Sequence, residues 1–370
     1  LSTQVFIIFI GMTKRVLTWA ILLTITAGIK IFSLFPDAVE RYYSTGFYVY
    51  SSRVQRAIFG WLSFSFGDIL YSVAVVGIIY SFVRIIKKIV QRKANGSFWL
   101  VVLRKLVFRG LIVYVSFNLL WGLNYNRRGI AHQLALETKE VKKEDLLPVM
   151  EELLDRVHRY DSIAKQQRSS LNYNRYLFEG AVNAYQNLGR KHDLFQYQNP
   201  SVKGSLFSYL GNYLGYTGYY NPFTGEAQVN RAVPLFIQPF TTCHEIGHQL
   251  GYAKENEANF AGYLSAKNSN DPLFLYSVYF ELYSYARPYL YFQDSMALKK
   301  LDSLVSPSIK RDFKELREFY IKHENPVELV VDRLYSQYLK ANEQPAGKIT
   351  YSRVIVWLIA YYKKYGRQAL

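Results

Sequence analysis

Three apolar runs dominate the first third of the chain. Residues 16–35, VLTWAILLTITAGIKIFSLF, form a stretch of twenty with a single charge, Lys30, near its far end, enough for a helix to cross a hydrocarbon core of about 30 Å. Residues 69–86 are interrupted only by Arg84 at their basic end, where a long side chain can snorkel. Residues 106–123 carry Arg109 close to their start and run into WGLNYNRR. The pattern predicts three transmembrane helices, the last two a little short. Beyond residue 140 the periodicity becomes that of amphipathic helices: Leu146, Leu147, Met150, Leu153, Leu154 and Val157 recur at helical spacing over 144–160, and a second helix is predicted over 175–188. Residues 216–230 set aromatic and β-branched residues on either side of Asn221-Pro222-Phe223-Thr224-Gly225, a hairpin signature. Asp271-Pro272 makes a good helix start, with Asp as N-cap and Pro at the first position, and the helix is predicted to kink or end at Pro288. Residues 354–362, VIVWLIAYY, are too short to span a bilayer and read as a core helix. The fold class is therefore mainly α, with a membrane anchor over residues 12–125 and a helix-rich domain carrying a small β-hairpin over 126–370.

Charge refines this picture. The chain has 370 residues, a formal charge of +17 and a pI near 9.6, which invites a nucleic-acid reading if the basic residues cluster in a recognisable module. They do not. The densest basic run, Arg84, Lys87, Lys88, Arg92, Lys93, Arg104, Lys105 and Arg109, contains no acidic residue and lies between two apolar runs, as a cytoplasmic loop does under the positive-inside rule. The 33 tyrosines also suit membrane interfaces. Met12, followed by Thr13, Lys14 and Arg15, reads as the natural start, and no A-x-A-like cleavage site precedes Pro36, so an uncleaved anchor is expected over a signal peptide. With both basic segments inside, everything after Tyr125 lies on the outer side, which in a bacterium is the periplasmic face of the inner membrane. The expected partners are the lipid bilayer and a peptide or protein, not nucleic acid.

The candidate chemistry sits in TTCHEIGHQLGYAKENEANFAGYL, residues 241–264. Residues four apart share a helix face, so His244 and His248 can offer two imidazoles to one zinc ion, with Glu245 turned toward its open side. Catalytic zinc uses three protein ligands and keeps a fourth position for water, whose pKa it lowers to about 7; Glu245 can take that proton and pass it to the leaving group. Six His and 17 Glu produce HExxH by chance in roughly one such chain in two hundred. Cys243 sits about 100° round the helix from His244 and reads as a small buried residue. Gly251 suits a helix end that turns the chain back toward the metal, and Gly247, which weakens a helix by about 1 kcal/mol relative to Ala, suits close packing beside the site. Glu255 and Glu257 are the candidate third ligands. Glu255 is preferred because Asn259 lies four residues later on the same face, where it can hydrogen-bond a histidine ligand. His132, His158, His192 and His323 are isolated and read as surface or core residues, and an oxyanion-stabilising Tyr, His or Arg is expected.

HEIGH with a downstream E-x-x-A-N resembles the gluzincin metallopeptidases, with Asn259 where that pattern has an acidic residue and a shorter spacing from His248 to Glu255. HEIGHQLG also looks like the opening of the metzincin pattern, but Lys254 stands where that family has its third His. More extensively, WGLNYNR at 121–127, GYYNPFTGEAQVN at 218–230, HEIGHQLGYAKENEANF at 244–260 and the Tyr- and Leu-rich tail resemble DUF3810, a Bacteroidetes membrane-protein family of unknown function grouped with zincin-like peptidases. That resemblance implies an N-terminal anchor and a zincin-like domain, but no substrate. In zincins a strand beside the active-site helix aligns the peptide, and the strand near 226–230 is the candidate for that edge. The leading expectation is a membrane-anchored zinc metallopeptidase. The competing readings are hydrolysis of another amide, such as a cell-wall peptide, and a non-catalytic membrane scaffold with a structural or vestigial metal site.

Overall fold

A computed structural model describes residues 2–137, 141–342 and 353–370, and the side chains from residue 14 onward. The chain is mainly helical. Its first third comprises α1 (Ser2–Ser33), a short α2 (Pro36–Ala38) leading into a π-helical stretch (Val39–Phe47), α3 (Tyr48–Phe59), α4 (Phe66–Val90) and α5 (Gly96–Leu120). Then come α6 (Ile130–Gln133), α7 (Lys143–Gln167), α8 (Asn174–Gly189), strand β1 (Val202–Gly204), α9 (Ser208–Leu214), strands β2 (Gly218–Asn221) and β3 (Glu226–Val229), α10 (Gln238–Gln249) and α11 (Glu255–Lys267). The C-terminal part is α12 (Pro272–Gln293), α13 (Ser295–Leu304), α14 (Pro307–His323), α15 (Pro326–Ala341) and α16 (Val354–Tyr365). The starts follow local chemistry: Ser65 caps α4 by accepting from the Asp68 amide, Asn95 caps α5 through Phe98, and Asp271 caps α12 through Leu273.

Two helices, not three, are long and apolar enough to cross a membrane among the described residues: Lys14–Ser33 and Phe66–Val90. Only 11% of the first apolar window and none of the second is buried, so neither is a core helix. The third predicted span corrects to part of α5, whose Arg104, Lys105 and Arg109 leave too short an uncharged stretch before the helix ends at Leu120. The helix still runs beside α1, where the Trp19 and Phe108 rings meet at a tilt with centroids 5.2 Å apart, and it brings the chain back to the end of the molecule where α1 finishes and α4 begins.

The rest packs around α7 and α12, whose apolar faces form the main core with α8, α10, α11 and α16. The core helix expected over 354–362 is observed, with Val354, Ile355 and Leu358 fully buried. The helix does not end at Pro288: α12 runs through it to Gln293. One lost helical hydrogen bond is offset by burial of Ala286 and Leu290 on either side. The hairpin over 216–230 is observed as antiparallel β2 and β3, joined through Gly225 at φ +69°. β1, which the sequence pattern did not suggest, pairs parallel with β3, giving the order β1-β3-β2. The strand near 226–230 is therefore the central one and cannot add a substrate strand; the edges are β1 and β2.

Candidate metal centre

Helix α10 ends at Gln249, and Gly251 at φ +84° turns the chain, its amide donating to the His248 carbonyl at 3.0 Å. Helix α11 then lies directly against α10. A Cβ on Gly247 would sit 3.2 Å from the Ala258 carbonyl oxygen, and one on Gly262 would sit 3.0 Å from the His244 amide nitrogen. This close approach brings Glu255, on the first turn of α11, between the two histidines: its Oε2 lies 3.2 Å from His244 Nε2 and 3.6 Å from His248 Nε2. The imidazoles are perpendicular, with centroids 4.7 Å apart.

The outer ring nitrogens fix the tautomers. His248 Nδ1 is 2.8 Å from the Tyr252 carbonyl, which can only accept, so Nδ1 carries the proton and Nε2 presents a lone pair. His244 Nδ1 meets Asn259 Oδ1 at 2.7 Å, with the same result. Burial works to raise the Glu255 carboxyl; only imidazoles protonated at Nε2 as well would outweigh it and lower the carboxyl. Ligand atoms of His244, Glu245 and His248 all lie within 4.8 Å of one another. Glu245 is buried, its Oε2 has no partner, and burial, reinforced by Glu255 and opposed by His244, pushes its carboxyl up to about 8. Two neutral imidazoles and a carboxylate are a donor set that zinc accepts, and the unpartnered Glu245 oxygen beside them fits a proton-handling role. Glu257 faces away, its carboxylate lying against Gly129 and raised by burial against the pull of Lys254 and Arg127. Cys243 is buried and pushed up to about 12, as an inert thiol should be.

Several site residues escaped the sequence reading. The Tyr335 hydroxyl, from α15, donates to Glu255 Oε1 at 2.5 Å; nothing in the spacing singled it out among 33 tyrosines. The last carbonyls of α10, which a helix leaves without internal donors, are satisfied from the N-terminal third: Trp121 donates to His248 at 3.1 Å, and Tyr48 and Arg56 each to Gln249 at 3.0 Å. These contacts cross the division expected at residue 125. Trp121 lay in the WGLNYN signature, whose position just after an apolar run was the available signal. Gly218 on β2 abuts the site so closely that a Cβ would lie 2.6 Å from Glu245 Oε1.

Two cavities meet at this centre. One, of about 540 Å³, runs from His244, Glu245, His248 and Glu255 toward α4 and α5. The other, of about 590 Å³, leaves the opposite side beneath α9 and α15 and contains Glu281, a buried acid that burial pushes up to about 7. A family model described as DUF3810, protein of unknown function, matches residues 43–359. No curated protein and no solved structure matches the chain.

Proposed function

The chain belongs to the DUF3810 family, a membership that carries no activity with it, and from the site itself we propose a membrane-anchored, zinc-dependent hydrolase that cleaves peptide bonds. The observation that carries the reading is the convergence of two tautomer-fixed histidines, one carboxylate and one unpartnered buried carboxylate in an accessible cleft. His244, His248 and Glu255 would hold the ion. Zinc at a three-ligand site supplies Lewis acidity toward water and the scissile carbonyl. Glu245 takes a proton from the attacking water and returns it to the departing nitrogen as the C–N bond breaks. Tyr335 is the candidate donor to the developing oxyanion, because its hydroxyl faces the same centre and lines both cavities. The edge of β2, with Gly218 against Glu245, offers backbone groups along which an extended peptide can align.

The orientation proposed is with the centre on the outer side of a bacterial inner membrane. Arg15 lies with Arg104, Lys105 and Arg109 around one cavity at the end of the apolar helices remote from the metal centre, and Lys87 and Lys88 close α4. That asymmetry is what the positive-inside rule asks of a cytoplasmic face.

The test is zinc content measured together with digestion of a quenched peptide library by the purified full chain. Wild type should bind one zinc ion and hydrolyse; Glu245→Gln should keep the zinc and lose hydrolysis. The second reading, a structural site on a membrane scaffold, draws on the proximity of Glu245 to both histidines, which would let it serve as a fourth ligand. Loss of zinc from Glu245→Gln would favour that reading.

A further inference from the structure

The limb of the cleft that runs toward α4 and α5 leaves the extramembrane part of the molecule. Its walls include Tyr71 on α4 and Gly110, Val113, Tyr114 and Phe117 on α5. Gly110 is ten residues before the end of α5, so at about 1.5 Å per residue the limb descends roughly 15 Å along that helix, about half the thickness of a hydrocarbon core. Its level is set independently by α1: Tyr114 and Phe117 join one apolar cluster with Leu22, Ile29 and Phe32, all within the Lys14–Ser33 span. The limb is open at its far end. A Cβ on Gly110 would meet nothing within 4 Å, and Val113 is 56% exposed. Its upper end is the metal centre itself, with His248 edge-on to Trp121 at 5.8 Å.

We propose that this hydrolase takes its substrate from within the membrane: the groove between α4 and α5 receives an apolar, membrane-inserted segment of a polypeptide, and the bond cleaved adjoins that segment. The inference rests on the hydrolase reading above. Its chemistry is that of the walls. A groove of aromatic and aliphatic side chains without a charge along α4 and α5 desolvates a polar peptide unfavourably and an apolar one favourably. A soluble peptide has no reason to enter a groove flanked by lipid, whereas a membrane-tethered chain already occupies that layer. Holding the tether in the groove fixes the distance from the bilayer to the scissile bond, so position relative to the membrane, more than side-chain identity, selects the site of cleavage.

The experiment uses the full chain reconstituted in phosphatidylcholine vesicles. The probe is a randomised, internally quenched ten-residue peptide, supplied free or fused at either end to a twenty-residue Leu/Ala helix. One tethered form should be hydrolysed at least tenfold faster than the free form. Tethering also concentrates substrate at the vesicle surface, so the decisive comparison is with Gly110→Trp, whose Cβ has open space around it and whose indole obstructs the groove; it should bring the ratio toward one while zinc content stays that of wild type. Val113→Trp provides a second obstruction if the first variant folds poorly. Equal rates on free and tethered peptide, or a ratio indifferent to both substitutions, would overturn the proposal and would fit a groove filled by phospholipid. Hydrolysis of the free peptide in that case leaves the hydrolase reading standing, whereas no hydrolysis of any form removes both.

Discussion

Glu255 and Glu257 are both buried acids on the first turn of α11, yet only one touches the histidines. Two residues along a helix is about 200° of rotation, so with Glu255 Oε2 at 3.2 Å from His244 its neighbour but one must point elsewhere. Zinc analysis of purified variants should therefore find severe loss for His244→Ala, His248→Ala and Glu255→Gln. Asn259→Ala should bind about 10- to 100-fold more weakly, the usual effect of removing a partner that orients a ligand, and Glu257→Gln should keep its metal. Loss confined to Glu257→Gln would overturn the ligand assignment. A second prediction concerns Glu281. Its carboxyl, raised to about 7 from 4.5 mainly by burial, keeps its proton in the folded chain after the unfolded chain has lost it. Stability therefore falls as pH rises from about 4.5 to 7 and is level above. Glu281→Gln removes this penalty, on the order of 3 kcal/mol. Its thermal midpoint in detergent should exceed that of wild type at pH 8, and the two should converge near pH 4.5. At this scale the sequence was informative wherever chemistry follows from spacing on one helix, as for His244, Glu245 and His248. It was silent where a partner comes from far along the chain, as with Tyr335 and Glu281.

Elements are fastened to one another by a few buried polar contacts. Glu226, at the start of β3, accepts from the amides of Phe66 at 3.0 Å and Gly67 at 2.5 Å and from the Thr224 hydroxyl at 2.8 Å, so a carboxylate of the central strand occupies the positive N-terminus of α4. Replacing Glu226 by Ala should cost about 1 to 3 kcal/mol through the orphaned amides. Hydrogen exchange is the direct check: protection should fall first at Phe66 and Gly67, and unchanged protection there would show that the contact does not hold the helix. Gln249 has a comparable part at the end of α10, donating to the carbonyls of Ser201 and Gly225 at 2.8 and 2.7 Å and accepting from Tyr197. Helices with strong periodicity or a good cap, such as α7, α8 and the start of α12, were legible in the sequence. The three-residue β1 was not, because its pairing with β3 is a long-range event with no pattern of its own. The same gap misassigned the edge: once β1 covers β3, the edges are β1 and β2, and it is β2 that abuts Glu245.

For the whole molecule, the orientation follows from where charge gathers. Reporter fusions after Lys93 should read as cytoplasmic and fusions after Asn126 as exported; a cytoplasmic result after Asn126 would reverse the proposed side of the metal centre. Hydropathy identified two of the long apolar helices but described the N-terminal third as separable, since apolar length says nothing about which polar groups the helix ends supply. In the fold those ends are part of the site. Trp121, Tyr48 and Arg56 finish α10, and the ion pair of buried Arg127 with partly buried Glu40, at 2.8 Å, ties the segment after α5 to the one after α1. The grip of Glu226 on α4 has a further consequence. A helix longer than the local bilayer is thick tilts to fit, and one that is too short pulls the lipid inward, at fractions of a kcal/mol per Å. Because the upper end of α4 is bonded to β3, β3 is paired to β2, and Gly218 of β2 abuts Glu245, a change in tilt reaches the Glu245 carboxylate, the proposed proton carrier, through three successive contacts. Turnover should therefore vary with the acyl-chain length of the host lipid even for a soluble peptide, making bilayer thickness an input to the chemistry.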